Sequence, residues 1–293
     1  MSDVIIRGNS MDGAIRVFVA ITTDLVNEAQ KIHKTYPTAT AALGRTLTIS
    51  AIMGAGLKNE TDTTTIQFKG DGELGSIVAV CDSQSRVRGY VVNPTADPER
   101  KENGKLDVGK AVGKGYLNVI RDLGMKEPYA GQVPIVSGEI AEDMTYYYAT
   151  SEQIPTAIAL GVLVNPDMSV KASGGFMLQL MPEATEEMAE KLEQIMAHLP
   201  PITEMIENGM SAEDILFAIT DGFDMIMENK TITPKYECKC SKERMEQALI
   251  SIGKEELESI IEEQGEAELT CQFCDNRYKF SKNELITLLN EAK

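Results

Sequence analysis

The chain has 293 residues, of which 43% are apolar and 25% charged, a composition typical of a folded protein with one large domain or two smaller ones. Its net charge of −17 argues against a nucleic-acid partner, because a phosphate-binding surface needs clustered Lys and Arg. The sequence has no apolar run long enough to span a membrane and no basic start followed by an apolar stretch, so we expect a cytoplasmic protein that does not interact with membranes.

Residues 1–181 alternate between strand-like and helix-like segments. Strands are predicted over 14–21, 64–69, 76–81, 86–92, 157–164 and 176–181, and helices over 24–34, 39–57 and 137–150. The connections are short, and Asp82–Ser85 suits a hairpin turn. We therefore expect an α+β fold in which helices pack on a mixed or antiparallel sheet.

Pro182 begins a different segment, 182–230, which is acidic and helical with interruptions. Between Glu183 and Lys230 there are twelve acidic and two basic side chains. Eight of the fifteen methionines lie between Met177 and Met227. Flexible thioethers adapt to irregular apolar partners, so these residues either pack the segment on its neighbours or form a binding surface. We interpret the segment as a linker that docks against another part of the protein.

The last segment, 231–293, contains four of the five cysteines, arranged as two close pairs: Cys238, Cys240, Cys271 and Cys274. Helices are predicted over 241–252 and 254–264, a hairpin around the second pair, and a helix capped by Ser281–Glu284. Cysteines in a cytoplasmic protein are usually reduced, and two thiolate pairs from separate segments supply the four corners of a tetrahedron. We therefore predict that the four cysteines bind one zinc ion as thiolates.

Four thiolates fill the coordination shell of zinc, so a hydrolytic site is excluded. A structural role and a redox-sensing role both stay open. The structural role is the plainer interpretation, but the sensing role gains support because each cysteine has a partner one or two residues away with which it could form a disulfide. Five basic residues were also expected to stabilise the thiolates: Lys239, Lys242, Arg244, Arg277 and Lys279.

Other candidate sites have plainer interpretations. Cys81 has no cysteine nearby and is expected to be a small packed side chain, although its role stays open. Gly104–Lys110 matches a phosphate-binding loop except that Ala111 replaces the Ser or Thr that would bind magnesium, so we expect a flexible turn.

The remaining polar candidates are three acids in one helical run and the only two histidines. Glu139, Glu142 and Asp143 have no nucleophile or metal ligand nearby in the sequence, so we expect a solvated start of a helix. His33 and His198 are expected to be surface or partly packed residues.

Two further functions are compatible with the cysteine pairs. A nucleic-acid-binding zinc-ribbon protein would need a basic face, which the net charge disfavours. A thiol–disulfide oxidoreductase would work through Cys271 and Cys274 and would turn over in an insulin-reduction assay.

The chain as a whole resembles the bacterial redox-regulated holdase chaperones, the heat-shock proteins of thirty-three kilodaltons. The motifs that carry the resemblance are Tyr236–Arg244, Cys271–Tyr278, Ser137–Asp143, Ser151–Gln153 and Gly174–Phe176. All four cysteine positions match the family pattern.

The resemblance implies an ATP-independent chaperone, not an enzyme, with three parts. These are a client-binding core at 1–181, a helical linker at 182–230 and a zinc-binding switch domain at 231–293. In the reduced form, zinc bound to the four cysteines keeps the protein inactive. The resemblance further implies that oxidation forms the disulfides Cys238–Cys240 and Cys271–Cys274 and releases zinc. The switch domain and linker then unfold, and the protein binds unfolding client proteins, commonly as a homodimer.

Overall fold

The structure is a computed structural model that describes residues 2–291, and its contacts divide the chain into two compact units. The first unit ends at Glu237 and the second begins at Cys238. Each unit has its own hydrophobic core. The predicted boundaries of the linker, at 181/182 and 230/231, separate segments by whether they unfold on oxidation, and they stay predictions. No helix in the described part of the chain is long and apolar enough to cross a membrane.

A buried helix, α2 (Pro37–Ala55), lies at the centre of the first unit. Nearly every residue from Thr38 to Gly54 is buried, which is the pattern of a helix covered on all sides. Small residues let the neighbouring sheets approach closely: a Cβ added to Gly54 would lie 2.5 Å from the backbone oxygen of Asp82. The helix therefore joins two sheet layers into one core.

The first layer is a six-stranded sheet with the order β11-β5-β4-β3-β6-β7. All its pairings are antiparallel except that between β11 and β5. The strands are β3 (Thr63–Gly70), β4 (Ser76–Asp82), β5 (Arg86–Val91), β6 (Gly115–Asp122), β7 (Tyr129–Pro134) and β11 (Lys235–Tyr236).

The second layer is a five-stranded antiparallel sheet with the order β10-β1-β2-β9-β8. Its inner face contributes Phe18 and Met177 to the core around α2, and its outer face presents Val17 and Leu178 to a second core. This alternation is expected of strands buried on both faces. The strands are β1 (Val4–Ser10), β2 (Ile15–Ile21), β8 (Thr156–Val164), β9 (Val170–Leu180) and β10 (Met225–Met227).

Three further helices complete the first unit around the sheets. They are α1 (Thr23–His33), α3 (Val108–Val112) and α4 (Ile140–Tyr147), and α4 continues into a π-helical turn at Tyr148–Glu152.

The acidic segment after Pro182 forms three helices that cover the outer face of the five-stranded sheet: α5 (Glu186–His198), α6 (Ile202–Glu207) and α7 (Ala212–Ile219). Helix α7 lies against β1 and β2, and α6 lies against β8 and β9. Ser211 and Asp214 form a capping box that starts α7. In this state the methionines of the segment, such as Met205, pack into the interface.

The second unit is built from three short helices and one hairpin: α8 (Lys242–Ser251), α9 (Lys254–Glu263), β12 (Glu266–Thr270), β13 (Arg277–Ser281) and α10 (Lys282–Glu291). Its buried apolar residues are few: Leu249, Leu257, Ile261, Phe280, Leu285 and Leu288. A core of this size gives the unit little stability of its own.

The predicted α+β class is confirmed, and the predicted strands and helices are found close to their expected bounds. Strands β1, β6, β7, β10 and β11 were not predicted. The expected flexible turn at Gly104–Lys110 is wrong in part. Asp107 accepts a hydrogen bond from the backbone N–H of Lys110 at 3.0 Å and so starts the short helix α3.

Candidate metal centre

The four cysteines of the second unit come from two pieces of backbone. Cys238 and Cys240 precede α8, whose first turn is capped by Ser241. Cys271 and Cys274 lie in the turn between β12 and β13, which the pairing of Thr270 with Arg277 closes. The hairpin and the cap therefore fix two ligand pairs in the same unit.

The turn that carries the second pair is held by backbone hydrogen bonds. The N–H of Cys271 donates to the carbonyl oxygen of Asn276 at 2.9 Å, and the N–H of Asp275 donates to that of Cys271 at 2.8 Å. Asp275 takes a left-handed conformation with φ of 57°. Such a conformation is tolerated by Asp in tight turns, and here it aims both thiols to the same side.

The four sulfur atoms form one cluster. All four Sγ atoms lie within 4.8 Å of one another, with 3.7 Å between Cys238 and Cys271 and 3.3 Å between Cys240 and Cys274. Four sulfurs bound at about 2.3 Å to a tetrahedral ion would be about 3.8 Å apart. The cluster therefore has the size and the donor set to hold one metal ion.

Tyr278 is a functional neighbour that the sequence interpretation missed. Its hydroxyl lies 3.0 Å from Sγ of Cys240. Burial raises the pKa of Cys240, but hydrogen bonds from Tyr278 and the neighbouring thiols outweigh burial and lower the pKa to about 7. Burial raises the pKa of Cys238 to about 11. Of these two thiols, that of Cys240 therefore ionises more readily.

The expectation that nearby basic side chains stabilise the thiolates is wrong for three of them. Lys242 contacts Glu284 at 2.5 Å, and Arg277 and Lys279 contact Glu268 at 3.5 and 3.3 Å. Their charges are therefore balanced by carboxylates.

Tyr278, four residues after Cys274, was visible in the sequence, but nothing in its spacing showed that the hairpin would place it against Cys240.

The arrangement disfavours an oxidoreductase. A reactive Cys-X-X-Cys pair usually lies at the N-terminus of a helix, which lowers the pKa of the attacking thiol. Here the pair lies in a hairpin turn, Cys271 is buried, and burial raises the pKa of Cys274 above its ordinary value. The second unit also has twelve acidic against eight basic residues, so its overall charge does not suit a nucleic-acid-binding zinc ribbon.

Cys81 is packed as expected. It is 1% exposed, its thiol lies 3.7 Å from the carbonyl oxygen of Thr64, and burial raises its pKa to about 12. It lies on β4 in the first unit and is no part of the cluster.

The expectation of a solvated helix start at 139–143 is wrong for two of its three acids. The buried carboxylate of Asp143 accepts hydrogen bonds from the N–H groups of Val136, Ser137 and Gly138 at 2.8–3.0 Å. Glu139 pairs with both Arg45 and Lys101. These acids hold the loop before α4, and only Glu142 is solvated as predicted.

The two histidines lie on helices, as predicted. His33 is in α1, and its Nε2 lies 2.9 Å from the hydroxyl of Tyr236. His198 ends α5, with its Nδ1 at 2.7 Å from the carbonyl oxygen of Gln194. Within residues 2–291, neither histidine belongs to the cluster of metal-binding side chains.

Comparison with known proteins agrees with the fold and the cysteine pattern. A family model described as Hsp33 protein matches residues 3–281. The chain belongs to the Hsp33 family. The 33 kDa chaperonin of Clostridioides difficile is 50% identical over 292 residues, which cover 99% of this chain and 100% of the relative. The 33 kDa chaperonin of Clostridium beijerinckii is 47% identical over 294 residues, and the alignment covers 100% of both chains.

Solved Hsp33 structures also match. The crystal structure of the 33 kDa chaperonin from Thermotoga maritima superimposes with a TM-score of 0.91 at 38% identity, covering 99% of both chains. As a member of the Hsp33 family, the protein is a chaperone that binds unfolded client proteins, and its four clustered cysteines form a candidate metal-binding site.

Proposed function

We propose that this protein is a redox-regulated, ATP-independent holdase that is inactive when reduced and zinc-bound. The observation that carries the proposal is the cover on the five-stranded sheet: α5 to α7 hide an extended apolar face that includes Val17, Phe176 and Leu178. Such a face, once uncovered, would bind apolar segments of unfolding proteins. The acidic charge of the chain would help to keep the complexes in solution.

The thiolates of Cys238, Cys240, Cys271 and Cys274 would hold one zinc ion. Zinc suits four thiolate donors, and the sulfur distances fit a tetrahedron. Structural zinc contributes about 10–16 kcal/mol to small zinc-finger units. The 56 residues from Cys238 to Lys293 would gain only about 3–8 kcal/mol from folding at typical values per residue. The second unit should therefore unfold without its metal.

Oxidation would convert the four zinc-bound thiolates to two disulfides, Cys238–Cys240 and Cys271–Cys274, and Zn²⁺ would be released. Each pair of thiolates loses two electrons, and one peroxide molecule accepts them together with two protons from solvent to become two water molecules. All four sulfurs lie within 4.8 Å, and the close contacts in the folded cluster run between the two pairs. The pairing within each motif is supported by the family resemblance and by short loop closure once the unit unfolds.

Loss of the second unit would then free the linker, residues 182–230, from the sheet of the client-binding core, residues 1–181. The linker's methionines pack in the interface in the closed state and would become available to clients in the open state. The switch domain would comprise residues 231–293. A homodimer of the oxidised form and a location in the cytoplasm complete the proposal.

The decisive experiment follows light scattering of a heat-unfolding client with reduced, zinc-loaded protein and again after peroxide treatment under mild heat. Suppression by the oxidised form alone, with parallel zinc release, is expected. Equal suppression by both forms would mean that the metal is only structural. Suppression by neither form would exclude a holdase and return attention to the zinc-ribbon alternative.

A truncation tests the same proposal without an oxidant. Deleting residues 231–293 should give a holdase that is active in reducing buffer, because the deletion removes Ile232 and strand β11, whose pairings with Ile5 and β5 help to keep the linker docked. A truncated protein that is well folded by circular dichroism but does not suppress aggregation would contradict this.

A further inference from the structure

A partly open cavity lies between the two sheets of the first unit, at the point where α2 ends. Met53, Gly56 and Leu57 form one wall, and strands β2, β3, β6 and β9 contribute the others. Its volume is about 160 Å³, enough for about five water molecules or one small organic molecule. The proposed chaperone cycle uses none of these residues.

The cavity has an excess of one positive charge. Arg121, on β6, is paired with Glu152 at 3.2 Å, and the nearby Arg7 is paired with Glu228 at 3.1 Å. Arg16, on β2, forms no salt bridge within residues 2–291, and its buried Nε has no hydrogen-bond partner there. The only carboxylate whose charge stabilises Arg16 among the described residues is that of Glu228, which is already paired with Arg7. A half-buried guanidinium without a carboxylate of its own favours an anion beside it.

One buried polar side chain on the cavity wall also lacks a partner. Thr64 is fully buried, and its Oγ1 makes no hydrogen bond with the described part of the protein. Gln179 is 5% exposed and lies directly across from Arg16 in the pairing of β2 with β9, so its amide faces the same cavity. Buried polar groups in folded proteins are nearly always paired, so the unpaired Nε of Arg16 and Oγ1 of Thr64 at one cavity indicate that it receives a polar ligand group.

The rest of the wall has a polar part, formed by Tyr148 and the Arg121–Glu152 pair, and an apolar part. Phe18, Ile52, Ile154 and Met177 form the apolar part. A cavity of about 150 Å³ is known to hold benzene, so a body of about six carbon atoms or fewer fits here. A single excess charge beside an apolar surface matches a monoanion with a hydrocarbon body better than inorganic phosphate, which has no apolar part.

We propose that this cavity binds a small monocarboxylate with an apolar body. The carboxylate lies against Arg16 and Gln179 and accepts a hydrogen bond from Thr64, while the hydrocarbon part packs on Ile52 and Met177. The same carboxylate provides an acceptor for both the unpaired Nε of Arg16 and the unpaired Oγ1 of Thr64.

The test is calorimetric titration of the reduced, zinc-loaded, full-length protein with isovalerate, with its neutral isostere isovaleramide and with inorganic phosphate. Isovalerate should bind saturably at millimolar or lower concentration, and the amide and phosphate should bind much more weakly. Arg16→Gln should weaken isovalerate binding by about 10- to 100-fold, because it removes a charged hydrogen-bond donor. Arg100→Gln, at an exposed arginine, is the matched control and should change nothing.

Thr64→Val provides a second variant that keeps the side-chain volume. It should raise the thermal stability of the protein without ligand, since an unpaired buried hydroxyl is removed, and it should weaken isovalerate binding. A merely structural role of Thr64 predicts only the first effect. The proposal is overturned if isovalerate does not bind, if the amide or phosphate binds equally well, or if both variants bind isovalerate like the unchanged protein.

Discussion

Releasing the linker without touching the cysteines should activate the chaperone in its reduced form. Leu216, on α7, is fully buried between the helix and the five-stranded sheet, where its Cδ1 would lie 3.0 Å from a Cβ built on Gly8. Leu216→Ala removes contacts that exist only while the linker is docked. Substitutions of this kind cost about 2–5 kcal/mol. A cost of about 3 kcal/mol raises the ratio of released to docked linker by roughly 150-fold.

The assay compares reduced, zinc-loaded variants for suppression of client aggregation, with zinc content measured by a metal-binding dye after thiol modification. Leu216→Ala should suppress aggregation without peroxide while it retains its zinc. Phe217→Ala is the matched control, because the next residue on the same helix is 53% exposed and makes no comparable contact with the sheet. Limited proteolysis of the linker reports release independently of activity.

One result refutes the reasoning directly. If proteolysis shows that Leu216→Ala has released the linker, zinc is retained, and aggregation still proceeds, then docking of the linker is not what keeps the reduced protein inactive. The apolar face under α5 to α7 would then not be the client-binding surface.

Three further predictions concern the metal, a buried acid and pH. Cys274→Ser should abolish tight zinc binding and unfold the second unit, whereas Cys81→Ala should leave the zinc content unchanged; an equal loss in both variants would contradict the assignment of the cluster. Asp143→Ala should lower the free energy of unfolding of the first unit by about 3–5 kcal/mol, because three N–H groups lose their acceptor, and the exposed neighbour Glu142→Ala should cost almost nothing; similar urea midpoints would refute this. Burial raises the pKa of Asp3 to about 6, so its contribution to stability is present below the unfolded value near 3.8 and is lost as pH rises through 6. Relative to Asp3→Asn, the unchanged protein should therefore lose up to about 3 kcal/mol between pH 4 and pH 7, and a pH-independent difference would show that Asp3 does not titrate in this range.

The sequence predicted the elements whose patterns are local. The buried helix α2, the capped helix after Ser241 and the hairpin that carries Cys271 all follow from periodicity, capping residues and turn residues. Strands β10 and β11 have three and two residues, too few to show a period, and they exist only because sheet edges are available to pair with them.

The candidate site was predictable in its ligands and not in its surroundings. Four soft ligands in two close pairs indicate a metal cluster whatever the fold. The hydroxyl of Tyr278 at Cys240 and the carboxylate of Asp143 depend on tertiary contacts that spacing does not encode. The same is true of Arg16: that Gln179 and not an acid lies across from it follows only from the strand pairing.

The segment that joins the two units shows why metal loss alone need not open the linker. Strand β10 pairs with Gly8, Asn9 and Ser10, and Ile5 and Ile232 exchange two backbone hydrogen bonds of 2.7 and 3.0 Å. The hydroxyl of Tyr236 donates to the carbonyl oxygen of Gly89 at 2.7 Å. Each such bond contributes about 0.5–1.5 kcal/mol net, so several must be lost together before α7 can leave the sheet. Because unfolding rates rise steeply with temperature, oxidation and heat should act together: oxidation removes the metal that holds the second unit, and heat frees the strands that hold the linker.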